Sequence, residues 1–199
     1  EFLADTAQAS PESSDFPGNV SNHVIGNNAT AVTAATGKAE ALGYDVISLG
    51  SKNSGEVNAE GRALAERCRE IRSGPRHATL PACLLSGGEP IVRLAKTEKP
   101  RSGGRNQQLV LAGLDALKDD GLDRIVILSA GTDGEDGPTD AAGAWADSNT
   151  LRAMKSQALD PQAFLEINDS YGFFRQVGGL LKTGPTHTNV MDLRVGLIV

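Results

Sequence analysis

The stretch RIVILSAGTDGEDGPTD, residues Arg124 to Asp140, is where the sequence declares its fold. An apolar, β-branched run from Arg124 to Gly131 has the character of a strand buried on both faces. It empties into a loop with three glycines and three acidic residues in seven positions, Gly131 to Gly137. Glycine supplies backbone freedom and close approach, and a plain surface turn has little use for so much of it beside so much charge. In an open α/β sheet, loops at the carboxyl ends of strands are where ligands bind.

Working outward, strand and helix patterns alternate. NHVIG (Asn22–Gly26) has the composition of a short strand, and NNATAVTAATGKAEALG has that of a helix capped by Asn27 or Asn28 and stopped at Gly43. YDVISLG (Tyr44–Gly50) is a second strand. SGEVNAEGRALAERCREIRSG then predicts a long helix closed by Gly74 and Pro75. ACLLSGGEP supplies a third strand, a helix is expected from about Arg105 to Lys118, and helices are expected over much of 141–180, with Thr139 as an N-cap. TNVMDLRVGLIV closes the chain as strand material. The alternation implies an α/β fold with a largely parallel sheet flanked by helices, in a Rossmann-like three-layer arrangement. Residues 1–21 are polar and aperiodic and have the composition of a linker or disordered tail, so the expected domain spans 22–199.

The 199 residues suffice for one domain with an ample core. A net charge of −6, from 19 basic and 25 acidic residues, with no basic stripe, argues against a nucleic-acid partner. No apolar run is long enough to cross a membrane, and no leader pattern opens the chain. Cys68 and Cys83 lack zinc-binding spacing, and buried thiols in a reducing, cytoplasmic compartment are expected. The chain opens with Glu1-Phe2, which suggests a piece of something longer.

Three segments can carry chemistry. In the acidic loop, Asp133 and Asp136 suit Mg²⁺, which takes one or two carboxylates and keeps its waters. Either can instead act as a base toward a hydroxyl, or be merely solvated in a capped turn. Gly131, Thr132 and Gly134 share that loop. In SGGRNQQ (Ser102–Gln108), Gly104, Arg105 and Asn106 combine free backbone N–H groups with a guanidinium fork, as an anion requires. Ser86, Gly87 and Gly88 of SGGEP can bring further N–H groups to the same ligand. In each case an ordinary turn is the competing reading. No GxxxxGK[ST], GxGxxG or GxSxG occurs, which removes the commonest nucleotide-binding and hydrolase signatures. By themselves these residues do not name a reaction.

The motifs LLSGGEP, GGRNQQLVL, LSAGTDGEDGPTDAAGAWAD, NDSYGFF and TGPTHTNVMDL, in that order, resemble the carboxy-terminal part of class II glycerate 2-kinases, the enzymes with a MOFRL domain (here about 81–199). Relatives also carry the older label of hydroxypyruvate reductase. The resemblance implies phosphoryl transfer from ATP to D-glycerate with Mg²⁺, giving mainly 2-phosphoglycerate, in a cleft shared with an amino-terminal kinase domain missing from this sequence. It implies that the chain forms one wall of that cleft and is inactive alone, and it leaves room for a homodimer. Arg105 is then expected on a carboxylate or phosphate, Asp133 and Asp136 on Mg²⁺ or the glycerate hydroxyl, the SGG and GTDGEDG glycines near the anion, and Asn189 at the rim. The alternatives are a non-catalytic small-anion binding module and an interaction subunit.

Overall fold

The computed structural model describes residues 21–74 and 78–199. All but Ser21 of the expected tail over residues 1–21, and the helix-closing Pro75, lie outside the described residues. The strands are β1 (Asp45–Ser48), β2 (Ala82–Gly88), β3 (Ile125–Gly131), β4 (Gly143–Ala146), β5 (Leu180–Leu181) and β6 (Asp192–Ile198). The helices are α1 (Asn28–Ala41), α2 (Val57–Ser73), α3 (Arg105–Leu117), α4 (Ser148–Ser156), α5 (Pro161–Leu165) and α6 (Ser170–Val177).

The fold is α/β, with one six-stranded sheet in the order β1-β2-β6-β3-β4-β5 between helical layers. Helix α1 packs on β1, β2 and β6, while α2 and α3 cover the other face and carry most of the core. The expected parallelism holds for strand direction and is corrected for pairing. β1, β2, β3 and β5 point one way, yet only β1–β2 is a parallel pair among the described strands. The C-terminal strand β6 inserts antiparallel between β2 and β3, and β4 folds back antiparallel on β3.

Local chemistry sets the helix ends. Asn27 caps α1 by accepting from the Thr30 N–H at 3.0 Å. Glu56 caps α2 by accepting from Asn58 and Ala59 at 3.1 and 2.9 Å. Helices α2 and α3 cross closely because Gly61 faces the Leu109 carbonyl, where any Cβ would collide. Their apolar faces bury Leu64, Cys68, Leu109, Leu111 and Leu114 against Ile125 and Ile127 of β3. Burial pushes the Cys68 thiol up to about 12, so it stays protonated and inert.

Three local expectations are corrected. Asn22–Gly26 forms no strand; it pairs with no neighbour among the described residues, and Ile25 is 99% exposed. Strands β4 and β5 interrupt the region read as helical, and Thr139 caps no helix, because the GAWA segment pairs with β3. β3 is buried on one face and only half-buried on the other, because α1 packs over β1, β2 and β6.

One rim of the sheet gathers the polar loops. The carboxyl ends of β2 and β3 flank the amino end of β6, with Gly88 and Gly131 both in register with Asp192. Helix α3 starts at the same rim.

Candidate functional site

Arg105 is the first residue of α3 and is held from both sides. Its Nε and Nη2 donate to Asp192 Oδ2 and Oδ1 at 2.6 and 3.0 Å, a bidentate fork. Its Nη1 lies 2.7 Å from Glu89 Oε1. Asp192 is fully buried, whereas the Glu89 side chain is 53% exposed. The hydrogen bond to Asp192 is the main cause that raises the Arg105 pKa, so the guanidinium stays charged. The buried carboxylate fixes the fork, and the exposed one covers the nitrogen that faces outward.

Asp136 adopts a place the sequence did not suggest. It is 2% exposed, and its oxygens turn toward α3. They accept from the Asn106 N–H at 3.0 Å, the Gln107 N–H at 2.8 Å and the Asn106 Nδ2 at 3.1 Å. The expectation of Asp136 as a Mg²⁺ ligand or base beside Asp133 is therefore corrected to that of a remote N-cap. Gly104, the N-cap position, has no side chain to do this, and a Cβ there would run into the Asp136 carboxyl. Burial, the largest effect, pushes Asp136 up to about 6; the amides of Asn106 and Gln107 oppose it, and Asp192 adds to it. Asn106 is buried and extends the network, accepting from Ser129 Oγ at 2.6 Å.

Asp133 remains open to the cavity. Its Oδ1 accepts from the Glu135 N–H and its Oδ2 from Asn189 Nδ2, each at 3.1 Å. Gly134 takes φ +89° to make this turn, and Gly137 takes φ +63° where it packs on the Gly103 carbonyl.

A cavity of about 390 Å³ brings Gly104, Arg105, Asp133 and Asp136 together with Val92 and Glu135. The other expected residues stand back from it. Thr132 accepts from the Val190 N–H at 2.9 Å and donates to the Met191 carbonyl at 2.7 Å, pinning the loop to the segment before β6. Gly131 pairs within the sheet, and Gly134 packs on the Gly184 carbonyl. Asn189 meets the site only through Asp133. Ser86, Gly87 and Gly88 are corrected from anion donors to packing residues. The Gly87 N–H donates to the Gly50 carbonyl at 2.8 Å, Gly87 faces Asn28, and Gly88 faces the Asn53 backbone. Ser86 accepts from Asn53 Nδ2 at 2.9 Å.

No cluster of three or more His, Cys, Asp or Glu side chains able to hold a metal occurs among the described residues. Asp133 with Glu135 at the same cavity fits an ion that takes one or two protein carboxylates and completes its shell with water and phosphate oxygens.

Asp192, Glu89 and Glu135 escaped the sequence reading. Asp192 had one visible signal: in DLRVGLI, alternation puts it on the same buried face as Ile198, where an acid requires a partner. Nothing in the sequence pairs Glu89 with Arg105.

The MOFRL family model matches residues 82–192. A D-glycerate 2-kinase of Thermotoga maritima is 40% identical over 181 residues, covering 91% of this chain and 42% of that protein. A human glycerate kinase is 35% identical over 227 residues, with 94% and 43% covered. A crystal structure of glycerate kinase from Thermotoga maritima superposes with a TM-score of 0.84 at 39% identity, covering 92% of this chain and 44% of that one. The chain thus spans less than half the length of these relatives. With the family model matched over more than half of its residues, the chain belongs to the MOFRL family.

Proposed function

We propose that this chain is the carboxy-terminal domain of a glycerate kinase, one that transfers a phosphoryl group from ATP to D-glycerate and gives mainly 2-phosphoglycerate. One observation carries the reading. A fully buried carboxylate clamps Arg105 at the edge of an acidic, glycine-lined cavity, in a chain similar to named glycerate kinases over nearly its whole length. Phosphoryl transfer asks a protein mainly to position reactants and neutralise charge.

The residues divide that task. Arg105 binds the anion, whether the glycerate carboxylate or a phosphate, which takes the place of Glu89 on Nη1. Asp192 keeps the guanidinium aimed, and Asp136 keeps α3 docked so that Arg105 starts where it does. Asp133 and Glu135 would hold Mg²⁺, whose chemistry here is to neutralise phosphate charge. The left-handed Gly134 and Gly137 allow the backbone to turn without side chains that would fill the cavity.

Among the described residues that line it, the cavity holds one cation, Arg105, against several acids, so further positive charge for a triphosphate would come from elsewhere. The relatives are more than twice as long, and a segment matching the rest of their length would supply the opposite wall. No described helix is long and apolar enough to cross a membrane. A cytoplasmic location and a homodimer belong to the same proposal.

The test is glycerate-dependent ADP release with ATP and Mg²⁺, for the 199-residue chain and for a protein that joins it to the amino-terminal half. Activity in the joined protein alone supports a shared cleft. Activity in the short chain refutes the shared cleft, and silence from both, with glycerate still bound, favours a small-anion binding module.

A further inference from the structure

A second cavity, of about 280 Å³, adjoins the first and shares Val92, Gly104 and Arg105 with it. We infer that this groove holds the nucleobase of the phosphate donor, an aminopurine such as adenine, so that this domain carries the nucleotide. The inference rests on the kinase reading and adds to it which substrate lies here, and where.

The groove pairs apolar wall with polar side chains, a lining that would take a flat, amine-bearing ring. Val92, Leu94 and Pro138 line it, and Leu94 is 70% exposed, an apolar surface with nothing over it. Such surface suits the faces of a flat heterocycle, and a few fixed polar groups among apolar walls are the usual make-up of a ligand site. Gln108 lines the same groove and is 1% exposed. Its Nε2 donates to Asn58 Oδ1 at 3.1 Å, while its Oε1 has no partner. A buried acceptor without a donor is costly, and a small turn of the Gln108 amide toward the groove would let an exocyclic amine supply one.

The walls are built rather than loose. Ala95 donates its N–H to Asn168 Oδ1 at 2.7 Å, and Arg101 Nη1 donates to the Ala95 carbonyl at 2.7 Å. The Ser102 N–H donates to Asp169 Oδ1 at 2.9 Å, and the Ser102 carbonyl accepts from the Tyr171 N–H, also at 2.9 Å. The segment between β2 and α3 is thus fixed against α6 before any ligand arrives. At the other end the groove opens past Gly104 onto Arg105, where a phosphate chain attached to the base would meet the guanidinium. Base, phosphates and acceptor then lie in sequence from Leu94 through Arg105 to Asp133. The cavity lined by Leu49, Leu64 and Arg194 lacks this continuity, since it shares no lining residue with the cleft at Arg105.

The experiment titrates adenosine, which has no phosphate, into the chain and into its Leu94→Asp variant, followed by amide chemical shifts. The exposed position of Leu94 lets the variant fold, and its amide spectrum reports that directly. Binding that perturbs Leu94, Gly103 and Gln108, with affinity lowered roughly tenfold or more by the aspartate, is the expected result, since a carboxylate on an apolar wall repels a neutral ring. Absence of adenosine binding, equal affinity in both chains, or shifts centred on Leu49 and Arg194 overturns it. Failure of the groove and failure of the kinase reading give different results. Adenosine bound at the groove in a protein without glycerate-dependent ADP release sinks the kinase reading alone. Turnover with an ATP KM that ignores Leu94→Asp sinks the groove alone.

Discussion

Asp192 holds Arg105 through both carboxylate oxygens, at 2.6 and 3.0 Å, from a position in β6 that water does not reach. The two residues are 87 apart in sequence and meet because β6 runs between β2 and β3 and begins where α3 begins. Asp192→Asn keeps the shape and removes the charge. It should cost on the order of 1–3 kcal/mol of stability, read by urea unfolding, because Arg105 keeps its charge while its buried partner loses its own. Turnover should fall further than stability alone explains, since the fork loses its aim.

Asp136 titrates in a window that can be measured. Its folded pKa, about 6, lies above the ordinary 3.8, so the native state binds this proton more tightly than the unfolded chain does. Stability from this group is full below about pH 4 and is lost as pH rises through about 6, a swing of about 3 kcal/mol. Urea unfolding between about pH 4 and 7 should show that loss in the wild type. Asp136→Asn should flatten it, and identical slopes in both proteins would reject the assignment.

Gly104→Ala tests the contact between the α3 start and Asp136. The added methyl would meet the Asp136 carboxyl, which is packed in a buried network and has little room to move. A loss of about 1–3 kcal/mol in unfolding free energy is expected, with activity reduced through Arg105. An alanine variant as stable as the parent would mean that the loop yields more easily than its packing implies.

Asp133 stands at the cavity without a structural duty comparable to that of Asp136. Asp133→Asn should therefore leave thermal unfolding within about 0.5 kcal/mol of wild type while raising the Mg²⁺ concentration needed for half-maximal turnover. Unchanged magnesium kinetics would leave Asp133 as a turn residue only.

The strands and helices that announce themselves by a single strong pattern were legible: α2 by its charged amphipathic run, β3 by its β-branched residues, α3 by the glycines before it. What failed to show were features made by pairing across distance. β6 looks like any final strand, and nothing in TNVMDLRVGLIV says that it inserts antiparallel between β2 and β3. GAWA is too short and small to declare itself a strand, so β4 is visible only once β3 offers it an edge. The site divides the same way. Arg105 and Asp133 follow from local composition, one beside glycines and the other in an acidic turn. Asp136 and Asp133 are indistinguishable in TDGEDG, because only the docking of α3 decides which carboxylate turns inward. Ser86, Gly87 and Gly88 read as an anion loop for a related reason. Glycines serving close backbone packing have the same letters as glycines serving a ligand.

If the Arg105 guanidinium anchors the anion, the kinetics of Arg105→Ala and Arg105→Lys will show it. The protein to use is the joined one proposed above, in which glycerate turnover is expected. In the alanine variant kcat/KM for glycerate should fall by roughly two orders of magnitude or more, with lysine restoring only part of it, because a point charge cannot replace a bidentate fork. Both variants should remain folded by circular dichroism. Wild-type kcat/KM in folded Arg105→Ala would contradict that role.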